Sequence, residues 1–424
     1  MLFLRMIYNL FNLIIAIYTF NVFKRVASKI ILTIVGACII TFAPFSVGTF
    51  SYNSFSLQFL LLSGILIASY IYKKNRLTLV LSGLAYGFAV QLYPGIIFSI
   101  FIIPIYLLFK KENYDIEDSG KKRLMLWIVG GIIVVALFVL YFLYNSSIEN
   151  ALENFHRMFS NRSYGNRDES GIFVIYQFLS QIKSIVGANA YIIAIFTVIA
   201  FVLSFCSNPI AYKILNVVGN VIVILTMISM TVMIVKTNVI NYICIPVALV
   251  GPIIWCMNGR KSNVCILVYV LGLFEAFAIQ MGSNNEIAGA SYGLFLSSVA
   301  VMLYIGIINK TREVTWISEN DRYKWINKGI GIIVCMILVI SLFYLRMNSV
   351  YRDGQIFELT DKLESGPGKG IYTTHIAKEQ YEGICEEIRL YFPENGAVLF
   401  SRLLPFGYLM SDCNLRQLLH LEVK

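Results

Sequence analysis

The feature that most constrains this chain is a succession of long apolar stretches separated by short polar gaps. A bilayer core about 30 Å thick requires roughly 20 apolar residues for each helical crossing. Hydrophobic residues make up 58% of the chain and charged residues 14%, and the mean hydropathy is +0.73. Ordinary water-soluble domains do not have this balance. The sequence therefore predicts an all-α polytopic membrane protein.

The apolar stretches predict about twelve transmembrane helices. They fall at residues 2–23, 30–44, 54–72, 77–92, 94–109, 124–144, 189–205, 214–235, 239–257, 264–281, 289–308 and 329–345. The pair on either side of Tyr93 is short for two full crossings, so it forms either tilted helices or a re-entrant hairpin. We therefore divide the chain into a transmembrane domain, residues 1–346, and a C-terminal domain, residues 347–424.

Lysine and arginine predict the orientation of these helices, because cationic loops resist translocation. Alternate gaps carry clusters such as Lys24 and Arg25, Lys73 and Lys74, and Lys310 and Arg312, whereas the gaps between them carry few basic residues. The basic gaps are expected to be cytoplasmic, which makes the C-terminal domain extracytoplasmic. The net charge of +10 then reflects topology, so we expect no nucleic-acid partner.

Two polar pieces are large enough for chemistry, and both are expected on the outer side of the membrane. One is the loop 145–188, whose start has the spacing of an amphipathic helix and whose middle is polar and turn-rich. The other is the C-terminal domain, which is long enough for a small α/β or α+β fold. It predicts a strand at 370–374 and a helix at 378–392 with an acidic face.

Acidic side chains within the apolar stretches reduce to one carboxylate, Glu275, whereas Arg5 lies at a helix end. Burying a carboxylate in a membrane costs free energy unless it has a partner or a water-filled cavity, so such residues are candidates for function. A protonated structural glutamate that bonds to a neighbouring helix explains it equally well. The three histidines, His156, His375 and His420, are too scattered in sequence to predict a metal site.

Three short segments form a pattern in the first half of the chain: the run Ser51-Tyr52-Asn53-Ser54-Phe55-Ser56-Leu57 at the start of a helix, the gap Lys73-Lys74-Asn75-Arg76, and the run from Leu81 to Val90 before Tyr93-Pro94. Together they resemble the middle of GT-C glycosyltransferases. The late outer gap at 282–285 and an outer C-terminal domain are similar to features of bacterial members. The resemblance covers the rest of the chain as an arrangement of helices only.

This resemblance implies a multi-pass enzyme of the cell membrane that transfers a sugar from a polyprenyl-phosphate donor. The acceptor would be a cell-envelope glycan, lipid or protein on the outer face. Basic groups are then needed for the phosphate and polar groups for the sugar hydroxyls. The candidates for substrate binding on that side are Tyr52, Asn53, Gln91, Arg162, Arg167, Asn284, Asn285 and Arg402.

One departure from the family concerns the catalytic base. GT-C enzymes carry an acidic residue in their first outer loop, where it acts as a base or with a divalent metal, but the outer gap 45–53 of this chain has no Asp or Glu. The predicted orientation of helix 2–23 matches the family's second helix, so the first helix and its loop are expected before Met1. The chain is therefore a truncated product, an inactive form, or an enzyme that uses another carboxylate: Glu275, Asp168 or Glu169.

Two other functions remain open at this point. A flippase or transporter of lipid-linked oligosaccharide would use Glu275 as a proton-coupling group, but no internal repeat of the kind that many transporters have is visible. A polysaccharide polymerase would also use polyprenyl-linked sugars and a long outer loop. The outer C-terminal domain favours the GT-C hypothesis over both.

Overall fold

The protein is described by a computed structural model, which covers residues 2–43, 51–109, 118–145, 209–237, 241–258, 262–281, 287–313, 321–348, 354–366 and 368–391, with a few single residues between 150 and 198. Its helices are α1 (Leu2–Phe23), α2 (Lys29–Thr41), α3 (Tyr52–Lys73), α4 (Arg76–Leu92), α5 (Ile102–Phe109), α6 (Gly120–Asn145), α7 (Pro209–Thr237), α8 (Asn241–Asn258), α9 (Asn263–Met281), α10 (Ile287–Glu313), α11 (Asp321–Asn348) and α12 (His375–Tyr391).

The described part of the transmembrane region is a bundle of apolar helices. Six of its helices are long and apolar enough to cross a membrane: α1, α3, α6, α9, α10 and α11. Helices α2 and α4, and the apolar parts of α7 and α8, are shorter. These findings confirm a helical fold typical of a membrane protein. The number of twelve crossings stays a prediction, and the stretch 189–205 lies outside the described residues apart from isolated positions.

The apolar stretch at 94–109 differs from its predicted form as one helix. It is divided into a 3-10 turn, Pro94–Ser99, and the short helix α5. Pro94 lies at the start of the turn, where a proline ring is tolerated because the first amides of a helix have no partner. The segment packs against α9 and α4, which brings Tyr93 close to the end of α9.

Glycines allow the closest helix contacts in the bundle. A Cβ added to Gly293 of α10 would lie 2.1 Å from the backbone nitrogen of Ala276 in α9. A Cβ added to Gly130 of α6 would lie 2.0 Å from the backbone oxygen of Val80 in α4. Small residues let helix backbones approach in this way, and van der Waals packing then holds them together where lipid provides no hydrophobic driving force.

The connections that carry most of the lysine and arginine residues lie at one end of the bundle. Lys310 donates from Nζ to the backbone oxygen of Lys24 at 2.9 Å, and the rings of Phe23 and Tyr72 meet edge to face at 5.6 Å. The gap between α3 and α4 is a tight connection in which Lys74 adopts a left-handed conformation, with φ of 57°. We call this the basic end, defined by Lys24, Lys74, Asp118 and Lys310.

The connections with few lysine and arginine residues lie at the opposite end. Tyr8 donates to the backbone oxygen of Phe42 at 3.1 Å, which ties the start of α1 to the end of α2. Phe42 in turn stacks on Phe295 of α10, with ring centroids 3.8 Å apart. We call this the tyrosine end, defined by Tyr8, Tyr52, Tyr93 and Tyr292.

The described part of the C-terminal region contains an antiparallel pair, β1 (Asp361–Lys362) and β2 (Tyr372–Thr373), followed by α12. The predicted strand and helix are therefore both present. Tyr381 of α12 accepts a hydrogen bond from the amide of Gly368 at 2.7 Å, which fixes the turn between the strands to the helix. Burial raises the pKa of Tyr381 above its ordinary value. Whether residues 347–424 form an extracytoplasmic domain stays a prediction.

Candidate functional site

The candidate site lies at the tyrosine end, where the first turn of α3, the residue Tyr93 and the last turns of α9 converge. Ser51 begins α3 with a reciprocal capping box, in which its side chain accepts from the amide of Ser54 and the Ser54 side chain accepts from the amide of Ser51. Such a cap satisfies amides that would otherwise lack partners and so fixes the direction in which the helix starts. Tyr52 and Asn53 are thereby held on a rigid element.

Glu275 is the carboxylate in the interior of α9, and 1% of it is exposed. Its Oε1 lies 3.3 Å from the hydroxyl of Ser56 in α3, and its Oε2 is buried with no hydrogen-bond partner in the described structure. The Ser56 hydroxyl also lies 2.8 Å from the backbone oxygen of Asn53. Because a hydroxyl has one hydrogen and the Asn53 oxygen is the closer acceptor, the Ser56 hydroxyl satisfies Oε1 of Glu275 only in part.

Two tyrosines, Tyr93 and Tyr52, lie between this part of α9 and the helix ends. Tyr93 donates to the backbone oxygens of Ala278 and Ile279, both at 3.2 Å, so it binds the last turns of α9. The ring of Tyr52 stacks on that of Tyr93, with centroids 6.2 Å apart and an angle of 12°. Tyr52 is 61% exposed, so its side chain is the accessible part of the site.

Tyr292 joins the site from α10. Its hydroxyl hydrogen-bonds with the side chains of Ser51 and Asn53. The Oδ1 atom of Asn53 is buried and has no hydrogen-bond partner in the described structure. Two oxygen acceptors, this one and Oε2 of Glu275, are therefore among the ten buried side-chain polar atoms of the described residues that have no hydrogen-bond partner, and they lie at the same end of the bundle. A ligand that carries hydroxyl groups would satisfy them.

The structure brings together some of the predicted residues. Tyr52, Asn53 and Glu275 lie at the tyrosine end as described above. Gln91 takes a different direction, since its side-chain amide donates to the backbone oxygen of Val134 in α6 at 3.4 Å. The remaining predicted residues lie outside the described residues: Arg162, Arg167, Asp168, Glu169, Asn284, Asn285 and Arg402.

Sequence reasoning missed Ser56, Tyr292 and the contact role of Tyr93. The sequence Tyr93-Pro94 indicates that a helix ends there, but it does not show which residues Tyr93 contacts. Ser56 and Glu275 are 219 residues apart, so no local pattern could have paired them. Within the described residues, no group of three His, Cys, Asp or Glu side chains could hold a metal ion.

The basic end has a polar cluster of a different kind. Asp118 accepts from Arg76 through both Nε, at 3.0 Å, and Nη2, at 2.8 Å, and it also pairs with Lys122 at 2.9 Å. The hydroxyl of Tyr70 donates to the same carboxylate at 3.1 Å. These groups, the Arg76 hydrogen bonds first, lower the pKa of Asp118 from 3.8 to about 2. This cluster joins the α3–α4 connection to the start of α6.

Comparison of the chain with protein-family models, with curated proteins and with solved structures finds no match. The functional hypothesis therefore depends on the geometry of the site and on the resemblance in the residues quoted above.

Proposed function

We propose that this chain is a membrane glycosyltransferase of the GT-C type, which transfers a sugar from a polyprenyl-phosphate donor to a cell-envelope acceptor on the outer face. The observation that carries the proposal is a buried carboxyl, Glu275, that contacts Ser56 of α3 one helical turn from the exposed residue Tyr52, at the end of the bundle that lacks the basic gaps. A lipid-linked sugar has its phosphate at the membrane surface, and helix ends of this kind lie at that depth.

The proposed reaction breaks the bond between the sugar C1 and the phosphate oxygen and forms a bond between C1 and an acceptor oxygen. The proton of the acceptor hydroxyl passes to a base, and polyprenyl phosphate leaves. Asn53 and Glu275 offer oxygen atoms to sugar or acceptor hydroxyls, while Arg162, Arg167 and Arg402 are the proposed partners of the phosphate. Glu275, Asp168 and Glu169 are the proposed bases, and a divalent metal remains an option.

The test is transfer of labelled sugar from polyprenyl-phosphate-sugar donors in membranes that contain the chain. The assay compares the chain as given with the chain extended by any in-frame upstream coding sequence. Activity of the chain as given, lost in Glu275→Gln, supports the proposal with Glu275 as base. Activity only in the extended form supports the GT-C reaction with a base outside this sequence. Inactivity of both forms contradicts the proposal.

A proton-coupled transporter of lipid-linked sugars is the second candidate, and the burial of Glu275 favours it. A catalytic base must reach its acceptor, whereas a coupling carboxyl is closed off in one state of a transport cycle. Proteoliposomes with an imposed proton gradient separate the two hypotheses. Accumulation of lipid-linked sugar that depends on the gradient and disappears in Glu275→Gln would support transport. A polysaccharide polymerase would instead lengthen the glycan in the transfer assay.

A further inference from the structure

The described part of the C-terminal region begins close to the end of a candidate membrane span. The apolar span of α11 ends at Asn348, and the next described residue is Gly354. Six residues of extended chain reach at most about 20 Å, and the headgroup layer of a bilayer is about 5–8 Å thick on each side. The unit formed by β1, β2 and α12 is therefore tethered next to the bilayer in which α11 lies.

This unit has two outer faces because α12 covers one side of the strand pair. Thr373 of β2 and the neighbouring Leu363 are buried, and Tyr381 of α12 bonds to the turn between the strands. Side chains alternate along a strand, so the cross-strand partners Lys362 and Tyr372 lie on the opposite side from these buried residues. Both are exposed. We call this side the hairpin face, defined by Lys362 and Tyr372.

The outer side of α12 carries the opposite charge. Cys385 and Ile388 are buried on the side of the helix that faces the strands. Glu379, Glu386 and Glu387 are exposed, and their spacing places them on the other side of the helix. We call these three residues the acidic face. The unit therefore presents carboxylates on its helix side and a lysine beside a tyrosine on its strand side.

The carboxylates nearest to the hairpin face have partners of their own. Glu358 closes a capping box in the turn that precedes β1. Asp361 lies 3.4 Å from Nδ1 of His375, and Glu364 lies 3.6 Å from Nζ of Lys378. The charge that the hairpin face itself offers to a partner is therefore the positive charge of Lys362.

One more aromatic ring lies on the path of the chain from the span to the strands. Phe357 is 82% exposed, nine residues after Asn348 and four before Asp361. Aromatic rings are enriched where a membrane meets water, and lysine side chains reach lipid phosphates from the same level. The residue types of the hairpin face and of Phe357 therefore match the chemistry of a bilayer surface.

We propose that the hairpin face and Phe357 lie on an anionic lipid surface, that of the bilayer that contains α11. The rings of Phe357 and Tyr372 enter the headgroup layer, and Lys362 contacts lipid phosphates. The acidic face points away from the membrane because anionic lipids repel carboxylates. The proposal does not depend on the proposed function, since it requires neither a sugar nor a particular side of the membrane.

Photo-crosslinking of the full chain in proteoliposomes tests this proposal. The chain carries p-benzoylphenylalanine at position 357 or 372 and, as a matched control, at position 390. Leu390 is 78% exposed, which is similar to Phe357, but its spacing from Glu386 places it on the side of α12 that carries the acidic face. The vesicles contain phosphatidylcholine and radiolabelled phosphatidylglycerol, and the radioactivity bound to the chain is counted after illumination.

We expect phosphatidylglycerol to label positions 357 and 372 about tenfold more than position 390, the ratio that partial burial of one aromatic ring produces. Equal labelling of the three positions would overturn the proposal. Crosslinks from position 357 or 372 to residues 392–424, or to a second copy of the chain, in place of lipid would also overturn it, because protein would then cover the hairpin face. Mass spectrometry of the crosslinked peptides distinguishes these outcomes.

The role of the lysine is tested by neutralising one charge on each side of the unit. We expect Lys362→Gln to lower the labelling of position 372 by phosphatidylglycerol about fivefold, the factor that one lysine near an anionic surface contributes. Glu386→Gln, on the acidic face, should not lower it. Both side chains are exposed, so both variants should fold normally. Unchanged labelling in Lys362→Gln, or an equal loss in Glu386→Gln, would contradict contact with lipid through the hairpin face.

Discussion

At the basic end of the bundle the carboxylate of Asp118 is paired with charged side chains, whereas at the tyrosine end the carboxyl of Glu275 and the side chain of Asn53 are incompletely paired. Asp118 is held by Arg76, Lys122 and Tyr70, so its four contacts leave little for a ligand to add. Glu275 and Asn53 each have a buried oxygen without a partner. The proposed function assigns this difference to two roles, stabilisation of the fold by the Asp118 cluster and binding of a ligand at the tyrosine end.

The largest effect is expected at Glu275. Glu275→Gln keeps the shape of the side chain and a contact with Ser56, but removes the group that can accept or carry a proton. If Glu275 is the base of the proposed reaction, sugar transfer should fall by about a hundredfold or more. Transfer in membranes measures this, and Glu379→Gln, an exposed carboxylate of α12, is the control. Unchanged transfer in Glu275→Gln would remove Glu275 from the mechanism.

We expect substitutions at the basic end to change the stability of the protein instead of its activity. Asp118→Asn leaves Arg76 and Lys122 without their carboxylate, and because both cations are half exposed we expect a loss of about 1–2 kcal/mol in the free energy of unfolding. Unfolding in mixed detergent micelles at neutral pH measures it. Arg76→Lys keeps the charge but loses the two-point contact, so its loss should be smaller.

The same cluster predicts a dependence on pH. The pKa of Asp118 is lowered in the fold, so its contribution to stability is fully present above its usual pKa of 3.8 and disappears as the pH falls through about 2. The difference in unfolding free energy between the native chain and Asp118→Asn should therefore shrink between pH 4 and pH 2. A difference that stays constant over this interval would show that the carboxylate is not paired as described.

Helices α4 and α6 pack closely between the two ends. Two adjacent glycines of α6, Gly130 and Gly131, differ in how closely they approach α4. Gly130→Ala places a Cβ 2.0 Å from the Val80 oxygen, whereas Gly131→Ala has only the Gly83 oxygen at 3.9 Å. We expect Gly130→Ala to lower the free energy of unfolding by about 1–3 kcal/mol and Gly131→Ala to leave it nearly unchanged. Thermal unfolding of the two variants in detergent tests this, and equal stabilities would contradict the packing of α4 on α6.

The smallest effect is expected at Tyr93. Tyr93→Phe keeps the ring that stacks on Tyr52 but removes the hydroxyl that binds the last turns of α9. The loss of this hydrogen bond should lower stability by about 0.5–1.5 kcal/mol. Tyr141→Phe, at an exposed position of α6, is the control. A loss in Tyr93→Phe no larger than in the control would show that the hydroxyl does not anchor α9.

The positions of the long helices could be predicted from the sequence because membrane thickness sets the length of an apolar helix. The predicted stretch 54–72 corresponds to α3 and the stretch 264–281 to α9, within a few residues at each end. The stretch 94–109 was not predicted as a turn and a short helix, since apolar length alone does not show where prolines divide a segment.

The candidate site could be predicted only in part. Glu275 stands out in the sequence because a carboxylate in an apolar stretch is rare. Its neighbour Ser56 and the bond between Tyr292 and Asn53 depend on which helices pack together, which no local pattern contains. Substrate binding by Gln91 stays a prediction, and its hydrogen bond to the backbone oxygen of Val134 in α6 could not be predicted from the sequence.

The most direct test of the difference between the two ends is their accessibility in intact cells. Tyr52→Cys and Lys74→Cys are treated with a membrane-impermeant maleimide before and after permeabilisation, and labelling is counted above that of the unmodified chain. We predict that position 52 reacts in intact cells and that position 74 reacts only after permeabilisation. Labelling of position 74 in intact cells, with position 52 protected, would place the tyrosine end in the cytoplasm and contradict an outer-face site.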